Sequence, residues 1–136
     1  MDRITLPLKT VSEINTRCHW ATRAKRSCLA RDLARVSVIS HFCGSAIPVP
    51  PLTVILVRVA PRKLDGDNLR SALKAVRDGV ADAILAPNRG NQSRKWADDS
   101  SGEIAWRYGQ ANGKAKQYQV IILIEREKRG EIENEN

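Results

Sequence analysis

Apolar positions along the chain change period several times, and each change marks an element. "RITLPL" near the start puts Ile4 and Leu6 on one face of a short strand. "KTVSEINTRCHW" has no period and reads as a loop. From about Ala21 to Phe42 the pattern is helical, with Leu29, Leu33 and Val36 recurring at helical spacing and Thr22 suited to the N-cap. "CGSAIPVPP" stops that helix with Gly44 and three prolines. "LTVILVRV" is rich in β-branched residues and predicts a central strand buried on both faces.

Beyond "RKLDGDNLR", Leu69, Leu73, Val76, Val80 and Ile84 form one apolar stripe, with Ala72 and Ala83 beside it. That spacing predicts a helix of about four turns, ended by Pro87, with Asp67 or Asn68 at its N-cap. "NRGNQSRKWADDSSG" is polar and long for a plain connection. "EIAWRY" alternates as a strand, "GQANGKA" is a Gly/Asn turn and "KQYQVIILIE" is a second strong strand. Together these three segments predict a terminal hairpin. The order β-α-β-α-β-β predicts an α+β two-layer sandwich, a mixed sheet with two helices on one face. Residues 1–125 would form this one domain, and the charged stretch 126–136 would be a disordered tail.

Charge adds a partner to this picture. The chain carries 23 basic and 15 acidic residues among 136, a formal +8. The stretch from Glu125 holds five acids and three bases, so residues 1–124 alone stand at +10. Arg17, Arg23, Lys25, Arg26, Arg31 and Arg35 load the region of the first helix with positive charge, against Asp32 alone. A basic domain with an acidic tail suits a polyanion, although charge also serves solubility. Cys18, Cys28 and Cys43 are odd in number and include no C-x-x-C pair, which argues against a disulfide framework or a zinc knuckle. The expectation is a reducing cytoplasm with free thiols and no membrane span.

Two acidic pairs interrupt the basic surface. Asp65 and Asp67 flank Gly66, where a strand hands over to a helix and where glycine permits a tight or strained backbone. Carboxylates one residue apart can converge on a hard cation such as magnesium, and the helix N-terminus favours a phosphate nearby. The plain alternative is that Asp67 caps the helix and Asp65 stabilises a turn. The EF-hand pattern does not fit, since Arg70 and Val76 stand where its Gly and Glu belong. Asp98 and Asp99 lie in the long loop, and one of them brought beside Asp65 and Asp67 would complete a three-carboxylate centre for phosphodiester cleavage. The alternative is a solvated polar loop.

Lys74, two helical turns after Asp67, and Arg70, one turn after it, could neutralise a phosphate. Arg77 reads as a solvated helix face. Asp78 and Asp82 read as structural, Asp78 pairing with Lys74. Trp106 and Tyr108 share a strand face and read as core or interface, while Trp96 is the aromatic placed to meet an unpaired base.

The run "RKLDGDNLRSALKAVRDGVADAI", followed by "DD" and a strand, resembles the RusA family of Holliday-junction resolvases, which includes endodeoxyribonucleases common in phages and prophages. "HWATRAKRS" is similar to a basic segment of the phage-type members. The likeness spans most of residues 1–125. It implies an α+β homodimer that cleaves four-way DNA junctions with Mg²⁺ in recombination and repair, in the cytoplasm of a bacterial or phage-infected cell. Asp65 and Asp67 match the family's D-x-D, Asn68 the Asn that follows, and Asp98 and Asp99 the later D-D. Asp65, Asp67 and Asp99 would then hold the metal, with Asp98 in support. The family's best-known members carry a lysine where this chain has Ser71, so Lys74 or Arg70 would contact the scissile phosphate. Arg23, Lys25, Arg26, Arg62, Lys63, Arg70, Arg94 and Lys95 would grip the DNA backbone. Two other classes stay open: a non-catalytic DNA- or RNA-binding module that keeps the fold, and a small interaction protein with incidental charge.

Overall fold

Alternation along the strands decides how the molecule layers. A computed structural model describes residues 1–11, 19–85 and 104–126. The elements run β1 (Asp2–Leu6), α1 (Trp20–His41), β2 (Leu52–Ala60), α2 (Gly66–Leu85), β3 (Ile104–Asn112) and β4 (Gln119–Arg126). This is the expected order and the expected α+β class. The four strands form one mixed sheet in the order β1-β4-β2-β3. Ile4, Leu6, Leu52, Val54, Leu56, Val120, Ile122 and Ile124 point to one face and join α1 and α2 in a single core.

Two strand expectations are corrected. β3 and β4 do not form a hairpin: β2 lies between them, paired parallel with β3 and antiparallel with β4. The segment 109–112, read as a turn, continues β3 alongside Val57–Ala60. Nor is β2 buried on both faces. Thr53, Ile55 and Val57 are half-buried on the far side, level with Leu123 and Ile121 of β4, and both helices lie on the opposite face. A strand in a sheet covered on one side buries every second residue, so an unbroken apolar run overstates its burial.

The helices meet at their smallest residues. α1 buries Ala30, Ala34 and Val38. Leu29 and Val36, expected in the core, are exposed, and Leu33 is partly buried against it. The rotation follows from a close approach. A Cβ at Gly79 of α2 would overlap the carbonyl oxygen of Arg31 and lie 2.8 Å from the Ala34 Cβ. Leucines cannot occupy such a seam, so the alanine stripe faces in, Leu29 and Val36 face out and Leu33 lies at the core's margin. Beside the seam Arg31 grips Asp82 through two hydrogen bonds, Nε to Oδ2 at 2.6 Å and Nη2 to Oδ1 at 2.8 Å. Asp82 is 2% exposed, so the pair is desolvated on the acid side. The hydrogen bond to Asp82 holds the Arg31 guanidinium above its usual pKa, burial acting the other way.

α1 begins at Trp20 with His19, not Thr22, as its N-cap: the His19 Nδ1 accepts from the Ala21 N–H at 3.2 Å. Among the described residues no helix is long and apolar enough to cross a membrane. Of the expected tail, 126–136, Arg126 instead ends β4, and residues 127–136 lie outside the described residues.

Two substitutions test the seam. Gly79→Ala forces the helices apart and should cost about 1–3 kcal/mol in urea unfolding, the range for overpacking a tight core. Asp82→Ala removes both hydrogen bonds of a largely buried guanidinium, leaving it only Asp78 at 4.0 Å among the described residues, and should cost about 3 kcal/mol. Wild-type midpoints for both variants would contradict this account of the helix packing.

Candidate functional site

The side chains that face α2 from β2 and β3 turn polar at one register row. Going along the strands, Val54 pairs with Trp106, Leu56 with Tyr108, and then Arg58 with Gln110. Both polar side chains of that row reach the loop that joins β2 to α2. Arg58 Nη1 donates to the Arg62 carbonyl at 2.7 Å, and its Nε donates to Thr10 Oγ1 at 3.1 Å. Burial pushes the pKa of this arginine down. Gln110 pairs with Leu64 as a strand would: Oε1 accepts from the Leu64 N–H at 2.8 Å and Nε2 donates to the Leu64 carbonyl at 2.7 Å. The backbone immediately before Asp65 is therefore tied down at two residues, both by side chains of the sheet.

From this anchored loop α2 departs with Asp65 as its cap. The Asp65 carbonyl accepts the first helical bond from Leu69 at 2.8 Å. Its Oδ1 accepts from the Asn68 N–H at 2.9 Å and from Asn68 Nδ2 at 2.8 Å. This corrects the expectation that Asp67 or Asn68 would cap the helix: Asp65 caps it, and Asn68 reinforces the cap. One oxygen of Asp65 is committed to the helix while Oδ2 has no partner among the described residues. Asp67, in the first turn, is exposed and has no hydrogen bond or ion pair among the described residues. Gly66 lacks a left-handed φ, and a Cβ there would meet nothing, so the strained backbone that glycine permits is not used.

Asp67 opens onto a groove of about 760 Å³ between α2 and β3, lined by Arg70, Ser71, Lys74, Arg77, Trp106 and Tyr108. A second cleft of about 330 Å³ lies over the other flank of α2, where Arg23, Arg26 and Lys9 meet Ser71, Lys74 and Asp78. Lys74 and Ser71 stand on the ridge between the two. Lys74 is 72% exposed and reaches Asp78 at 3.4 Å, a loose i,i+4 pair that leaves its ammonium available. Ser71 thus sits on the same wall as Lys74.

The structure lines one groove with Asp67, Arg70 and Lys74, leaves Asp65 at the cap of α2 outside that lining, and sets Arg23 and Arg26 across the ridge. Lys25, Arg62 and Lys63 are exposed, and neither cleft uses them. Asp98, Asp99, Arg94 and Lys95, with Trp96, lie outside the described residues. Among the described residues no group of three or more His, Cys, Asp or Glu side chains converges as a metal cluster. The donors that the described residues do offer, Asp65 Oδ2 and the Asp67 carboxylate, are hard oxygens in contact with solvent. That set suits magnesium, which takes few protein carboxylates and completes its shell with water and phosphate.

Arg77 is corrected from a solvated face to a structural cation. Its Nη1 donates to Tyr108 Oη at 2.7 Å and its guanidinium lies 5.0 Å over the Trp106 ring. The signal was in the spacing, since Asp67, Arg70, Lys74 and Arg77 fall at i, i+3, i+7 and i+10 on one face. Arg58 and Gln110 were missed, although strand alternation puts Arg58 on the same face as Val54 and Leu56. Trp106 and Tyr108 do pack against the core as expected, but their remaining surface lines the groove. No protein-family model matches the chain, and no curated protein matches it.

Capping and chemistry separate by mutation. Asp65→Ala should cost about 1 kcal/mol of stability through loss of the cap, whereas Asp67→Ala should stay within about 0.5 kcal/mol of wild type. Gln110→Leu should raise hydrogen exchange at the Leu64 amide. Equal stabilities for the two aspartate variants, or unchanged exchange at Leu64, would contradict the roles given to these residues.

Proposed function

We propose that the chain is a magnesium-dependent endodeoxyribonuclease that cleaves phosphodiesters in branched DNA, four-way junctions foremost. The observation that carries this reading is the groove in which Asp67 shares a wall with Arg70 and Lys74, at the mouth of a helix. Asp65 and Asp67 would hold Mg²⁺, joined by Asp99 and supported by Asp98. When bound, the ion supplies an activated water and offsets charge developing on the phosphate.

The rest falls to the chain's own groups. The N-terminus of α2 attracts the phosphodiester. Arg70 and Lys74 place it, Lys74 exchanging its loose contact with Asp78 for a phosphate oxygen. Arg58 and Gln110 hold the loop so that Asp65 and Asp67 keep one position through turnover. Arg23 and Arg26 meet the backbone on the far side of the ridge, while Lys25, Arg62, Lys63, Arg94 and Lys95 extend the basic surface. Two copies related by a two-fold axis would address the two strands to be cut, and the half-buried Ile55, Val57, Ile121 and Leu123 support an association of this kind.

Cleavage of a synthetic four-way junction should require Mg²⁺ and should fall to background in Asp67→Asn. The same variant should bind the junction as tightly as wild type or more tightly, because it removes a negative charge facing a polyanion. Lys74→Ala should lower the single-turnover rate roughly 10²-fold, and Ser71→Lys in that background should recover part of the loss. Equal cleavage by wild type and Asp67→Asn would refute the nuclease. Salt-sensitive junction binding with no product under any divalent ion would leave a DNA-binding module in its place.

A further inference from the structure

The groove beside Asp67 is larger and more aromatic than a phosphate requires. Its volume of about 760 Å³ lies within the range of pockets that enclose organic ligands. Trp106 and Tyr108 stand on a strand and pack against the core from below, so they form a rigid platform. Arg77 fixes both, through the hydrogen bond to Tyr108 Oη and its position over Trp106. Because Arg77 covers Trp106, Tyr108 is, among the described residues, the ring open to a ligand. Arg70 lies 6.0 Å from the centre of that ring, at the outer limit of a cation–π contact. It is exposed and can move. A planar group inserted between a guanidinium and a ring needs a spacing of roughly 7 Å, twice the base rise of about 3.4 Å. Arg70 therefore has to withdraw by only about 1 Å to admit such a group beneath it.

We propose that this groove takes one unpaired nucleobase of a DNA strand, stacked between Tyr108 and Arg70, next to the phosphate at Asp65 and Asp67. Aromatic platforms flanked by cations bind single-stranded DNA in this way, and a bare anion would gain nothing from the rings. Lys74 meets the adjoining backbone, and the Ser71 hydroxyl can donate to or accept from a base edge. Unpaired bases arise at the branch points of DNA junctions, so the groove would favour cutting where a base is already free. The proposal rests on the nuclease reading for its placement beside a scissile phosphate, but base binding itself can be measured without cleavage.

The test uses the full chain in EDTA, with fluorescence-labelled oligothymidylate and an abasic oligomer of equal length. The two share phosphates and differ in bases. Wild type should bind the thymidylate more tightly, by roughly tenfold for one stacked base. Tyr108→Leu should abolish that preference while leaving affinity for the abasic oligomer unchanged. Trp20→Ala should keep the preference, which separates the groove from the exposed Trp20. If Tyr108→Leu fails to fold, Arg70→Lys decides, since it keeps the charge, loses the plane and should remove most of the preference. Equal affinity of wild type for both oligomers, or a preference that survives in the deciding variant, would overturn the proposal. Junction cleavage scored in parallel keeps the two readings apart. Asp67-dependent cleavage without base preference sinks the groove alone, and a preference mapped to Tyr108 without cleavage sinks the nuclease alone.

Discussion

The close approach of α1 to α2 at Gly79 is the constraint on which the rest depends. With no side chain at 79, the helices meet backbone to side chain, and Arg31 can bend over the seam to reach Asp82. This fixes which face of α1 looks inward. The alanines are spent on the seam, and the arginines at the start of α1 are carried to the flank of α2 beside Lys74. A wider seam would take Leu29 inward and turn Arg23 and Arg26 away from that flank. The basic cleft is thus a consequence of helix packing as much as of charge.

The second organising feature lies at the other end of α2. The β2–α2 loop hangs from the register row of Arg58 and Gln110, each bound to loop backbone. Asp65 then serves two masters. One oxygen caps the helix through Asn68, and the other faces solvent beside Asp67. Capping and metal binding were posed as alternatives for this pair, but the geometry makes them compatible. A cap holds the carboxylate at the helix N-terminus, where the helix dipole also draws phosphate.

The elements and the sandwich could be read from periodicity because their apolar patterns are long and strongly periodic. The pairing of strands could not. A Gly/Asn segment between two strands reads as a hairpin turn, and only the whole sheet shows that β2 occupies the place between them. The α1 face was misread because leucine counts for more than alanine in any hydrophobic pattern, while packing at a glycine seam selects the smaller residue. At the site, Asp65, Asp67, Arg70 and Lys74 were legible because they lie close together on one helical turn and its successors. Arg58, Gln110, Tyr108 and Trp106 were not, since they come from strands whose register brings them to α2 only in three dimensions.

The central claim is that a divalent ion and a DNA phosphate meet at the first turn of α2. Paramagnetic broadening by Mn²⁺ in the chain bound to a four-way junction measures this directly. The account predicts that backbone amides of Asp65, Gly66, Asp67 and Asn68 broaden first, and that Asp67→Asn prevents it. Broadening centred on Asp78 and Asp82, or the same broadening in Asp67→Asn, would contradict it.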